Sequence, residues 1–264
     1  MSKAIVRFNG YQNTEEIKVE PSSNSMYLNE NQFTTAQIPL GAPITGTVYG
    51  TLLNYKGELA ALGTVVNEAP YKQSPKAPIL YIKPINTITG FHTPIPLPLD
   101  VSELQIGAAL GVVIGKNATN VAEEEALDYV SGYTIVNDVS IPHESVYRPA
   151  ISQKARDGFC PVGPWIIERD AIADPNHLTI QVFINGEVKQ QNTTANLIRP
   201  VSRLISEITS FMTLYEGDTL LVGVPENPPL AKEGDLVRIE IEGIGALENK
   251  VKAEVNCLLK EDLK

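Results

Sequence analysis

Two cysteines, one tryptophan and three histidines in 264 residues leave little material for several kinds of chemistry. Cys160 and Cys257 lie far apart with no Cys-x-x-Cys spacing, which removes the usual sequence sign of a structural metal or a redox pair. Positive charge is also scarce: 21 Lys plus Arg against 31 Asp plus Glu give a formal charge of −10, and no basic run concentrates what there is. Such a chain has no spare cationic surface for phosphates, which argues against nucleic acid as a partner. The longest apolar stretches, such as 106–114, fall far short of the roughly 20 residues of a membrane helix, so no membrane partner is expected. The opening MSKAIVRFNG lacks the basic-then-apolar pattern of a secretory signal, and a cytoplasmic protein with reduced thiols is expected. The G-x-S-x-G, H-E-x-x-H, P-loop and G-x-G-x-x-G fingerprints are absent as well.

What is present points to strands. The length still permits one hydrophobic core. Residues 1–45, with short alternating segments around Ala4–Phe8 and Ile17–Val19, read as a small N-terminal β extension ahead of a main domain over 46–264. Asn185-Gly186 between LTIQVFI and EVKQ is a type I′ hairpin signal, because both residues tolerate the positive φ that turn demands. Gly217-Asp218 and Gly234-Asp235 each launch a strand in the same way. Nineteen prolines disfavour long helices. Two helices are nevertheless expected. One is capped by Asn120 with Glu123 as its capping-box partner, and Glu123–Glu125 form a solvated, dipole-favoured first turn. The other carries an apolar stripe from Leu197 to Met212, with Pro200 in its first turn. Many strands, few helices and no βαβ alternation predict a mainly β fold with helices packed at its side.

Three polar segments stand out from this background: Tyr81-Ile-Lys83-Pro-Ile-Asn86-Thr87; Gly107-Ala-Ala-Leu-Gly-Val-Val-Ile-Gly115-Lys116 leading to Gly132-Tyr-Thr-Ile-Val-Asn137-Asp138; and Lys154-Ala-Arg156-Asp157-Gly158-Phe-Cys-Pro161. In this order they resemble the fumarylacetoacetate hydrolase family, and the resemblance extends through NGEVKQQNTTANLI to GIGALENKV. It implies a mixed β-sandwich roll with a few short helices. With TLLNYKGELAAL, PYKQSPKAPILYIKPINT and VSIPHESVYRPAI, the chain is similar to the amino-terminal half of the isomerase/decarboxylases of 4-hydroxyphenylacetate (homoprotocatechuate) catabolism. There two homologous halves are fused or occur as separate subunits. The resemblance implies decarboxylation of 5-oxopent-3-ene-1,2,5-tricarboxylate, isomerisation of 2-hydroxyhepta-2,4-diene-1,7-dioate, and association as a homodimer or with a homologous subunit.

A dienolate formed from a 2-oxo diacid is commonly stabilised by a chelated divalent cation acting as a Lewis acid, and the resemblance implies Mg²⁺ or Mn²⁺. A hard cation needs several oxygen ligands. The family's two metal-binding Glu positions here hold Gly107 and Ala109, leaving Asp138 as a lone ligand whose plainer reading is a structural, hydrogen-bonded carboxylate. The family's His-Glu lid pair falls on Glu58 and Ala61, and its substrate-contacting Thr on Val224. Lys83 and Lys154 are the candidate catalytic residues, and with Arg156 they are the candidate binders of substrate carboxylates. Their alternative is a buried ion pair of Lys154 with Asp138 or Asp157, and a solvated Arg156–Asp157 pair. His92, His143 (beside Glu144) and His177 read as surface residues, and Cys160 as a packing thiol. Two readings follow: an enzyme using Lys83 and Lys154, or a non-catalytic subunit that pairs with a metal-bearing homologue.

Overall fold

The computed structural model describes residues 1–69, 72–143 and 150–254, so Cys257, Glu144 and parts of the PYKQ and HESVYR segments lie outside it. Its main feature is a 12-stranded sheet. The principal path runs Asn31–Thr34, Ser25–Leu28, Glu15–Glu20, Ser2–Phe8, Cys160–Glu168, Val130–Asn137, Ala108–Ile114, Thr219–Leu221, Val48–Leu52, Ile79–Lys83. Along it neighbours are antiparallel except Thr219–Leu221 beside Val48–Leu52. The strands of residues 1–45 continue this sheet, Ala4 pairing with Ile167.

A second sheet of five strands carries the hairpin Thr179–Ile184/Glu187–Thr193, then Leu236–Ile241, Gly245–Ala253 and Ile95–Leu97. Asn185 and Gly186 at the hairpin turn have φ of 53° and 84°, as the Asn-Gly pair requires. Gly217 and Gly234 likewise take φ of 88° and 87° ahead of their strands. Thr179–Ile184 buries alternate residues, the mark of a strand with one face on the core. Ala108–Ile114 is buried throughout because both faces are covered. Ala108, Leu110, Val112 and Ile114 join the larger core around Trp165, Tyr55 and Phe159, while Ala109 and Val113 join a smaller one with Val136, Cys160 and Val162.

The two expected helices depart from the sequence reading in instructive ways. Asn120 does not cap: its φ is 49°, outside the extended region a cap occupies. A 3-10 helix over Glu123–Tyr129 begins instead after Ala122, which has cap-like angles of −66° and 148°. The second helix is confined to Val201–Thr209, with Pro200 at its cap position. The residue before a proline avoids helical angles, so Leu197 stays outside and bridges to Tyr55. No helix among the described residues is long and apolar enough to cross a membrane.

Candidate active site

The Val48–Leu52 strand leads into Leu53-Asn54-Tyr55 and the short helix Lys56–Ala61. Asn54 fixes this connection. Its buried amide donates to the carbonyls of Arg199 (3.1 Å) and Val222 (2.8 Å), and its Oδ1 accepts from the Arg199 N–H (3.0 Å). The helix is thereby held over a cavity of about 190 Å³ whose wall includes Glu58, Tyr81, Gly107, Asp138, Lys154 and Glu226.

At its floor three strand or helix ends converge. Asp138 follows Val130–Asn137, Lys83 ends Ile79–Lys83, and Lys154 ends Ile151–Lys154. The Asp138 side chain is fully buried. Lys83 Nζ, equally buried, lies 2.9 Å from Oδ1 as an ion pair at an angle outside hydrogen-bond geometry. Lys83 spends its own protons on the carbonyls of Lys154 (2.7 Å) and Val139 (3.3 Å). Lys154 Nζ donates to Oδ2 at 2.7 Å, and the Tyr81 hydroxyl donates to the same oxygen at 2.5 Å. Burial alone would push the Asp138 carboxyl up, but the Lys154 and Lys83 ammoniums and the Lys154 and Tyr81 hydrogen bonds outweigh it and hold it well below the usual carboxylate range. Of the two lysines only Lys154 keeps a solvent-facing part, 16% of its side chain, and it opens on the cavity.

Lys83, Lys154 and Asp138 are therefore brought together, while Arg156 is not part of the cavity wall. Its Nε donates to the Ser152 carbonyl at 2.9 Å, and Asp157 accepts from the Asn86 amide at 2.7 Å. His92 pairs with Glu248 and His177 with Asp174 away from the cavity. His143, in contrast to its surface assignment, lines the cavity, its Nδ1 near the Ser140 hydroxyl (3.2 Å) and the Ile141 carbonyl (2.9 Å). Cys160 is fully buried, and burial pushes its thiol up to about 12, so it packs and does not attack.

These residues do not fit a divalent cation. A Cβ at Gly107 would overlap the main-chain oxygen of Asp138, so no carboxylate can stand there without moving the backbone. Ala109 is fully buried against the apolar face of Val113, Val136 and Val162. Of the family's three ligand positions only Asp138 keeps a carboxylate, and it already serves two ammoniums and a phenol. Among the described residues no three His, Cys, Asp or Glu side chains group as a metal site would need.

Sequence reasoning missed Glu58 and Glu226. Glu58 Oε2 and Glu226 Oε2 are buried on this cavity without a hydrogen-bond partner. Burial pushes the Glu58 carboxyl up to about 7, with nearby Glu226 adding to the rise and the Leu53 and Tyr55 N–H groups and Lys154 opposing it. The sequence signal for Glu58 was its place in the N-Y-x-x lid segment, where it replaces the histidine of the family pair.

Residues 47–252 match the family described as fumarylacetoacetate (FAA) hydrolase C-terminal. The chain is 42% identical over 209 residues to a 4-hydroxyphenylacetate degradation bifunctional isomerase/decarboxylase of Escherichia coli, covering 79% of this chain and 48% of that relative. It thus spans about half the length of the bifunctional relatives it matches. A Xenopus laevis mitochondrial oxaloacetate tautomerase is 32% identical over 248 residues, 89% of this chain and 75% of the relative. Among solved structures, 5-carboxymethyl-2-hydroxymuconate delta-isomerase from Mycobacterium smegmatis superposes with a TM-score of 0.76 at 28% identity, covering 97% of this chain and all of that one. With a family match over residues 47–252 and 32% identity to a relative of which it covers 75%, the chain belongs to the fumarylacetoacetate hydrolase family.

Proposed function

We propose that this chain is a component of homoprotocatechuate catabolism that isomerises a 2-hydroxy-2,4-dienedioate such as 2-hydroxyhepta-2,4-diene-1,7-dioate, and that its own cavity does so without a metal ion. The observation that carries this reading is the part-exposed Lys154 side chain on the cavity wall, its ammonium held by Asp138 and lying 5.1 Å from the centre of the Tyr81 ring. Deprotonating a conjugated enol yields a dienolate whose charge is spread over several atoms. One oriented ammonium on the cavity wall can stabilise such charge. Loss of CO2 from the tricarboxylate releases its electron pair into the same kind of conjugated dienolate, so the same ammonium can serve either step. Residues 1–45 act in this reading as an appendage to the 46–264 catalytic-type domain, and the location is cytoplasmic, with the chain pairing with itself or a homologue.

The test uses chelator-stripped chain. The dienol absorbance should decay in the presence of the chain and EDTA. Turnover that requires added Mg²⁺ or Mn²⁺ would contradict the reading. A second reading, a non-catalytic subunit paired with a metal-bearing homologue, is favoured by the chain's span of about half its bifunctional relatives. It predicts no turnover by this chain alone and turnover once that second subunit is added.

A further inference from the structure

We propose that Glu58 is the proton-transfer residue of this cavity, taking the enol proton of a bound 2-hydroxy-2,4-dienoate and returning it to C5. The assignment rests on the isomerase reading above. It begins with a count of what else on the cavity wall could move a proton. Asp138 is committed to Lys83, Lys154 and Tyr81. Tyr81 donates its proton to Asp138, and burial, then that carboxylate, holds its hydroxyl protonated. Lys154 directs its ammonium at the same carboxylate. His143 holds its Nδ1 toward the Ser140 hydroxyl and the Ile141 carbonyl, which leaves Nε2 as a rival; His143→Gln, made in parallel, should lose far less kcat than Glu58→Gln, and an equal loss would overturn the assignment. Glu226 has a buried, unpartnered Oε2 as Glu58 does, but its Oε1 accepts from Asn192 Nδ2 (3.1 Å) and Gln190 Nε2 anchors its main-chain oxygen (2.6 Å). Among the described residues Glu58 is the cavity carboxyl that no side chain holds by a hydrogen bond, and its buried Oε2 is unpartnered.

Its surroundings suit the task. Gly57 lets the Glu226 carboxyl lie against the helix backbone, in space a Cβ would fill, so a second carboxylate sits beside Glu58. The charged and titratable groups facing Glu58 are Glu226, Lys154, Tyr81 and its own neighbour Tyr55, with His143 on the same wall. Burial first and Glu226 second favour its protonated form, Lys154 its ionised form, and both are populated near neutral pH. A base must give back what it takes, and a carboxyl poised near working pH does both. In the step itself the O–H bond of the 2-hydroxyl breaks and its proton goes to Glu58. The freed pair forms C2=O, the C2=C3 pair moves to C3=C4, and the C4=C5 pair takes the proton from Glu58 at C5. Nothing else is consumed, and Lys154 faces the oxygen that bears the transient charge.

The test measures kcat and KM for dienol isomerisation from pH 5 to 9 in wild type, Glu58→Gln and Glu226→Gln, with oxalate binding as the control for an intact cavity. Glu58→Gln should keep oxalate binding and KM within a few fold and lose roughly 10²–10⁴-fold in kcat, the usual share of general acid–base catalysis. Glu226→Gln should move the pH break of kcat slightly downward at most, because burial, the main cause of the raised Glu58 carboxyl, remains and only the smaller contribution of the Glu226 charge is gone. Active wild type with Glu58→Gln within threefold of it, or an upward break in Glu226→Gln, would overturn the assignment while leaving the isomerase reading standing. Inactive wild type would overturn the isomerase reading and this assignment with it.

Discussion

Glu58→Gln makes a prediction for stability that is independent of any substrate. The Glu58 carboxyl moves from an ordinary value of 4.5 to about 7 on folding, chiefly by burial. At about 1.4 kcal/mol per pH unit, that displacement corresponds to about 3 kcal/mol. The sign follows from proton counting. Below pH 4.5 folded and unfolded chains both hold the proton, and the group costs nothing. Between 4.5 and 7 the unfolded chain ionises while the folded one stays protonated, so wild-type stability falls as pH rises. Above 7 the full cost is present. Glutamine keeps the shape and the Oε1 acceptor without the charge, so Glu58→Gln should be about 3 kcal/mol more stable relative to wild type at pH 8 than at pH 4.5. Urea denaturation of both proteins at the two pH values reads this difference directly, and subtracting the mutant-minus-wild-type difference at one pH from that at the other cancels whatever the amide changes in packing. A stability difference that does not change with pH would refute the claim that Glu58 is desolvated in this cavity.

Other substitutions test the floor of the site. Lys83→Met leaves Asp138 short of a partner in a fully buried setting and should lower stability by about 3–5 kcal/mol. Lys154→Met should cost less, because that side chain is 16% exposed, whereas Lys83→Met also strips the Lys154 and Val139 carbonyls of their donor; calorimetric melting of both gives the order, and the reverse order would contradict it. Asp138 is held low on folding, so its stabilisation is present above the ordinary value of 3.8 and is lost as pH falls below it. Asp138→Asn should therefore flatten the acid limb of the stability curve, seen by melting between pH 4 and 2. Asn192→Ala removes the hydrogen bond to Glu226 Oε1 and should cost about 1 kcal/mol in denaturation while shifting the pH profile of turnover.

Much of the fold was legible because local chemistry decides it. Asn185-Gly186, Gly217-Asp218 and Gly234-Asp235 need positive φ, and no distant contact can change that. Asn120 illustrates the opposite case. Asn suits both a helix cap and the left-handed region, and the main chain around Thr209, which accepts the Asn120 N–H, settles it as the latter. The site divides along the same line. Lys83, Asp138 and Lys154 belong to dense motifs and converge as their order suggested, whereas Arg156, within the same motif, turns back to the Ser152 carbonyl. His143 and Glu58 looked inert in sequence because their roles depend on the wall that remote segments build around them. Glu58 in particular reads as a lost histidine until the 225–228 loop and the hairpin amides are in place beside it.

The central claim is that this cavity replaces metal chemistry with Lys154 and buried carboxyls. Calorimetric titration of the purified, chelator-stripped chain with Mg²⁺ and with Mn²⁺, each with and without oxalate as a mimic of a 2-oxo acid enolate, tests it most directly. The account predicts oxalate binding that is unchanged by either cation and no cation binding at the site. Tight, oxalate-dependent uptake of one Mg²⁺ or Mn²⁺ per chain, abolished by Asp138→Asn, would contradict it.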